Sequence, residues 1–221
     1  DNVATNSMAE LEGTEVILMV GSFNRNQVAA VRAKMAAKNG AAVVVISREK
    51  TLLDDIALLK VNPENSTAFI KEILAAIIDN SMVDDNFVKQ RTTNYMEFCE
   101  ALRGVAAGRE AEQIAALYGK AGKAMILVDG LSVSAAAVEL LSVLAAITGR
   151  IGSPRNGIIV LSPGGNSTGI WQAGFKQSGS DLADRLGSKT IKGVFLFGED
   201  PVGSGIIDAG VLAELEMLVV L

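Results

Sequence analysis

Apolar residues follow two rhythms along this chain. Unbroken apolar runs of strand length occur at EVILMVG (15–21), AAVVVIS (41–47), KAMILVDG (123–130) and GIIVLS (157–162). LLKVNP (58–63) reads as a short strand. KGVFLFGEDP (192–201) and the closing MLVVL read as later ones. Runs that are hydrophobic throughout, rather than alternating, fit parallel strands covered on both faces. Between them the spacing turns helical. NQVAAVRAKMAAK (26–38) is stopped by Asn39-Gly40, and TAFIKEILAAIID (67–79) follows the cap residues Asn65-Ser66-Thr67. SAAAVELLSVLAAITG (134–149) is a third helix and DLADRLG a short one. Residues 82–120 carry VDDNFVKQR, YMEFCEALRG and REAEQIAALYGKA, which read as helical hairpins with no strand among them.

Strands alternating with helices predict an α/β fold with a mostly parallel sheet in three layers, Rossmann-like. It has two βαβ-type halves, residues 1–80 and 121–221, separated by a helical segment at 81–120. The chain starts at DNVATNSMAELEG and finishes on a strand, which suggests one compact domain cut from a longer chain. No apolar run reaches the roughly 18 residues of a membrane span, so no direct membrane insertion is expected. The start lacks the basic segment of a signal peptide.

Composition narrows the chemistry. The 221 residues carry a formal net charge of −5 and no cluster of Lys and Arg interleaved with aromatics, which argues against a nucleic-acid partner. There is no His, so Ser-His-Asp and Cys-His nucleophile systems and His-ligated zinc are excluded. The one cysteine, Cys99, cannot form a disulfide within the chain, and its place on an amphipathic helix reads as a buried apolar position. A cytoplasmic location is the corresponding expectation. Asp54-Asp55 and Asp84-Asp85 read as charges at helix N-termini. Trp171 reads as a core or domain-interface residue.

Strand ends carry the candidate chemistry. MVGSFNRNQ, VVISREKT, LVDGLSVS, FLFGEDPVGS and the loop in IIVLSPGGNSTGIWQAGF (158–175) are polar and rich in small residues. In open parallel sheets ligands bind outside the carboxyl ends of the strands, where helix N-termini and glycine backbones meet anions. One such loop alone is an ordinary turn, whereas five on one edge make a ligand-binding rim an equal reading. Glu199 and Asp200 suit either a polar ligand contact or a turn built on Asp-Pro. No GxGxxG and no GxxxxGK[ST] is present.

Several stretches, taken in order, resemble the molybdopterin oxidoreductase family. They are KNGAAVVVISREKT, VNPENSTAFIKEILAAIIDNSMVDDNFV, AALYGKAGKAMILVDG, LAAITGRIGSPRNGIIVLSPGGNSTGIWQAG and IKGVFLFGEDPV. The likeness runs from about Glu12 to Leu221. That family includes formate dehydrogenase large subunits and the large subunit of NADH-quinone oxidoreductase. The resemblance implies a domain that clasps an extended molybdopterin guanine dinucleotide at its strand ends. By position it places Gly21, Ser22 and Asn24 in the first loop, Ser47 and Glu49 in the second, and Asn65 and Ser66 in the third. Gly130, Asn166, Ser167, Gly198, Glu199 and Asp200 fall in later loops.

Cofactor-binding members usually carry Asp-Pro-Arg where this chain has Ser47-Arg48-Glu49, and Gly-Thr-Asp where it has Glu64-Asn65-Ser66. The first loop and the link from NSTG to GEDP are short. The cysteine motif for an iron–sulfur cluster and the molybdenum-ligating residue are missing. These departures lean toward the NADH-quinone oxidoreductase large subunit, whose molybdopterin-like domain is often a scaffold without metal. The resemblance then implies a non-catalytic fragment of an electron-transfer subunit, with iron–sulfur clusters outside the fragment and other domains and subunits of a redox complex as partners. Its place would be peripheral, on the inner face of a membrane. The runner-up is the cofactor-clasping domain of a formate dehydrogenase. A non-catalytic nucleotide- or anion-binding module is the alternative from another class.

Overall fold

The computed structural model describes residues 4–162, 169, 172–174 and 179–221. The chain divides into two compact units, 1–168 and 169–221. The first unit is built on a five-stranded sheet, all parallel, in the order β3-β2-β1-β4-β5. Its strands are β1 (Val16–Val20), β2 (Ala42–Ile46), β3 (Leu59–Val61), β4 (Ala124–Asp129) and β5 (Gly157–Leu161). Strands from both expected halves therefore lie side by side in one sheet, with Leu18 in register with Val44 on one side and Ile126 on the other.

The central strands are continuous apolar runs because both of their faces are covered. Val16, Leu18 and Val20 join Val44, Ile46, Ile126 and Val128 in one core. The alternate residues Ile17 and Met19 join Val43, Val45, Met125 and Leu127 in a second core. Helices α2 (Ser66–Asp79), α5 (Arg109–Lys120) and α6 (Ala135–Ile147) cover the first face. On the second face lie α1 (Gln27–Lys38) and a 3-10 helix (Met8–Gly13). Chain direction explains the split. From β1 the chain moves one way to β2, and from β4 it moves the opposite way to β5, so right-handed crossovers put α1 and α6 on opposite faces. Helix α1 presents Ala29, Ala30, Ala33 and Ala36 to the sheet, small side chains that allow close approach.

The expected helical segment contains α3 (Asp85–Arg91) and α4 (Tyr95–Ala101) ahead of α5. Asp84 caps α3, accepting from the Phe87 N–H at 2.9 Å. The reading of Asp54-Asp55 as helix N-terminal charges is corrected. No α-helix starts at them, and Asp54 instead accepts from the Thr51 hydroxyl at 2.6 Å and from the Lys60 ammonium. Cys99 is half-buried rather than buried, because α4 has no fully buried residue. Trp171 lies outside the described residues.

The second unit holds α7 (Gly179–Gly187), β6 (Gly193–Leu196), α8 (Ala209–Ala213) and β7 (Met217–Val220). Strands β6 and β7 pair with each other in a separate two-stranded parallel sheet over a small core of Leu186, Ile207 and Leu212.

Candidate functional site

Because every strand of the large sheet points the same way, the loops after β1, β2, β3 and β4 share its carboxyl edge. The strand order reverses between β1 and β4, and ligands of open α/β sheets bind in the crevice at that point. The crevice is framed by the loop from Gly21 to Asn26 and the loop from Gly130 to Ser134.

Asp129, the last residue of β4, fills it. The residue is 3% exposed. Its Oδ2 accepts from the Ser132 hydroxyl at 2.9 Å, the Ser22 hydroxyl at 3.2 Å and the Phe23 backbone N–H at 3.3 Å. Its Oδ1 accepts from the Leu131 N–H at 3.3 Å. The Ser132 oxygen also accepts from the Ser22 N–H at 3.2 Å, which closes the network across the seam. Two backbone N–H groups and two hydroxyls converging on one carboxylate form the kind of nest that holds an anion, and here the chain supplies the anion. Gly21 makes room for it: its φ is 115°, and a β-carbon there would stand 2.6 Å from both the Asp129 β-carbon and the Ser132 oxygen. Phe23 turns its ring into the second core and pins the loop.

The other expected residues are placed as follows. Asn24 donates from its side-chain amide to the Lys50 carbonyl at 3.2 Å, tying the first loop to the second. In the second loop the Ser47 hydroxyl accepts from the Glu49 N–H at 3.2 Å, and the Ser47 N–H donates to the Val61 carbonyl at 3.0 Å. Glu49 is exposed, and its carbonyl accepts from Lys60 at 3.3 Å. Asn65 caps α2, accepting from the Ala68 N–H at 3.1 Å, and Ser66 is the first helical residue. The neighbouring Thr67 hydroxyl lies 3.3 Å from that of Ser134, the cap of α6, so these two helix starts meet. The Gly130 N–H donates to the Leu161 carbonyl at 3.0 Å, and a β-carbon on Gly130 would lie 2.8 Å from that oxygen. Its backbone therefore serves the β4–β5 contact.

Gly198, Glu199 and Asp200 follow β6 in the second unit. The Gly198 N–H continues the ladder to the Leu221 carbonyl at 2.8 Å. Asp200 accepts from the Gly203 N–H at 2.8 Å, forming a turn, and Glu199 is exposed. Asn166 and Ser167 lie outside the described residues.

A second helix start is also met by the chain's own carboxylate. The groove of about 390 Å³ beside Asn65 is bordered by Pro63, Phe69, Gly108 and Arg109. There the Gly108 N–H, at the start of α5, donates to Glu72 at 3.1 Å. No group of three or more His, Cys, Asp or Glu side chains placed to hold a metal occurs among the described residues. No helix among them is long and apolar enough to cross a membrane.

A family model described as molybdopterin oxidoreductase matches residues 1–217. The chain belongs to the molybdopterin oxidoreductase family. It is 30% identical to the F420-dependent formate dehydrogenase subunit alpha of Methanocaldococcus jannaschii, over 77% of this chain and 28% of that subunit. It is 24% identical to the assimilatory nitrate reductase catalytic subunit of Bacillus subtilis, over 80% of this chain and 27% of that protein. Acetylene hydratase from Pelobacter acetylenicus shares the fold, with a TM-score of 0.54 at 16% identity, over 64% of this chain and 24% of that one. The chain thus spans about a quarter of the length of these molybdopterin-family relatives.

Membership in the molybdopterin oxidoreductase family implies a molybdenum–pterin cofactor in the parent protein. Four donors at the β1–β4 seam, the Ser22 and Ser132 hydroxyls and the Phe23 and Leu131 N–H groups, are spent on Asp129. The carboxylate puts negative charge where a phosphate would bring more, and like charges so close are unfavourable. At this point the residues do not fit the phosphates of a dinucleotide. Asp129, Ser132 and Phe23 were missed as site residues by the sequence reading. The available signal was the acid closing the apolar run AMILVD, since a carboxylate on a strand covered on both faces must find donors.

Proposed function

We propose that this chain is a scaffold domain of an electron-transfer oxidoreductase subunit, close in character to the molybdopterin-like domain of the NADH-quinone oxidoreductase large subunit. It keeps the family's parallel sheet and loop-bearing rim. The single observation that supports this reading is the buried Asp129 carboxylate occupying the donor nest at the switch point. The residues of the seam then hold β1 and β4 together and exclude an outside anion, rather than orient a substrate. Iron–sulfur clusters and the electron path belong to other parts of the parent protein. Its partners are the remaining domains and subunits of the redox complex, placed in the cytoplasm or peripherally on the inner face of a membrane.

The second reading is a cofactor-clasping domain of a formate dehydrogenase large subunit, and the similarity to formate dehydrogenase alpha subunits favours it. When bound, the molybdenum–pterin group would supply the redox centre. This chain's share would be the loops at Gly21–Asn24, Ser47–Glu49 and Asn65–Ser66. A third reading, a plain nucleotide- or anion-binding module, is disfavoured by the same filled nest.

One experiment separates the first two. The complete gene product is purified, its molybdenum is measured by mass spectrometry, and guanine nucleotide released by acid hydrolysis is quantified. The scaffold reading expects neither at a stoichiometric level. Molybdenum together with a stoichiometric guanine nucleotide overturns it in favour of the formate dehydrogenase reading.

A further inference from the structure

We propose that Asp129 is a built-in stand-in for a bound oxyanion, and that its carboxylate alone closes an otherwise complete anion site at the β1–β4 seam. The inference deepens the scaffold reading and rests on it only in taking the wild-type crevice as closed.

The donors come from four residues in two loops: Ser22 and Phe23 after β1, Leu131 and Ser132 after β4. All reach the carboxylate at 2.9–3.3 Å, the range of N–H and O–H bonds to oxygen. Their positions do not depend on Asp129 alone. The Gly21 N–H is held by the Ile46 carbonyl at 2.9 Å, the Gly130 N–H by the Leu161 carbonyl at 3.0 Å, and the Phe23 ring by the second core. The Ser22 N–H reaches the Ser132 oxygen without the acid. Truncating Asp129 therefore leaves a preformed cradle with two N–H and two O–H donors and no charge. Buried donors without partners are costly, so the cradle takes up a small carboxylate such as formate or acetate in place of the carboxyl group removed. The Asp129 side chain thus determines whether this seam admits a small oxyanion.

Chemical rescue of the 221-residue chain tests this. The Asp129→Ala variant is expected to melt below the wild type. Formate or acetate at about ten times its dissociation constant should raise the variant's Tm by roughly 3–5 °C relative to chloride at equal ionic strength. The wild type should show no such gain. Asp129→Asn, whose amide fills the same space, is expected to be destabilised and not rescued. Equal responses of Asp129→Ala and wild type to the oxyanions, or rescue of Asp129→Asn as strong as that of Asp129→Ala, overturn the proposal.

If Asp129→Ala does not fold, the wild type decides. In a two-dimensional amide NMR titration with pyrophosphate, the Phe23 and Leu131 signals should stay in place. Saturable shifts at both overturn the proposal. Failure of the scaffold reading is seen separately, as guanine nucleotide in the complete gene product. Rescue of Asp129→Ala would stand even then.

Discussion

Gly21 and Asp129 face each other across the seam between β1 and β4 so closely that a β-carbon on Gly21 would stand 2.6 Å from the Asp129 β-carbon. The same glycine has a φ of 115°, which side-chain-bearing residues rarely adopt. Both constraints act together in Gly21→Ala, which is expected to lose about 3 kcal/mol in urea unfolding. Gly40→Ala serves as the control. It shares a positive φ of 96° but has no atom within 4 Å of the added carbon, so it should lose only about 1 kcal/mol. Equal losses would remove the steric role of Asp129.

Ser132 links the two loops in both directions, donating to Asp129 and accepting from the Ser22 N–H. Ser132→Ala removes a hydrogen bond to a charged group and leaves an N–H unpaired. A loss of about 2 kcal/mol is expected in denaturant unfolding. A loss under about half a kcal/mol would show that the seam does not depend on this hydroxyl.

Glu10 gives the chain a pH dependence of defined sign. The Arg155 N–H, the Asn6 amide and the Ser7 N–H all donate to its carboxylate and hold its pKa below the ordinary 4.5. A depressed folded-state pKa means stability that is present above pH 4.5 and lost as pH falls through the folded value. Wild type should therefore melt above Glu10→Gln at neutral pH, and the gap should close on acidification below 4.5. A gap that is constant from about pH 7 to about 3 would exclude this contribution.

Tyr118 is fully buried in the first core, and among the described residues its hydroxyl makes no hydrogen bond of ordinary geometry, although the Thr148 side chain lies near enough to act on its ionisation. Burial also pushes its ionisation well above the ordinary value. Removing a buried hydroxyl that makes no well-formed hydrogen bond relieves desolvation, so Tyr118→Phe should change stability by less than about 0.5 kcal/mol or increase it. Tyr118→Ala should cost about 4 kcal/mol through the cavity left behind. A large loss for the Phe variant would show that the approach to Thr148 is a formed hydrogen bond.

Much of the fold can be read directly in the chain. The continuous runs VILMV and AMILVD mark central strands because nothing polar can sit on a strand covered on both faces, save at its end. Asn39-Gly40 marks the end of α1 because a glycine at a positive φ stops a helix. Less of the candidate site was legible. The polar loops after β1, β2 and β4 stand out, yet Gly130 turns out to serve the β4–β5 contact and Asn65 its own helix. The role of Asp129 depends on an N–H group 106 residues away in sequence, that of Phe23, which no local pattern records.

The sequence by itself determined the strands, the helices and the polar character of the loops, because these follow from the period of burial and from local backbone preference. Only the tertiary structure decided which strands are neighbours, that β6 and β7 form their own sheet, and that the switch point is filled from within. Those features arise from contacts between distant segments, where direction and distance to a few tenths of an ångström determine whether a carboxylate occupies an anion nest or leaves it open.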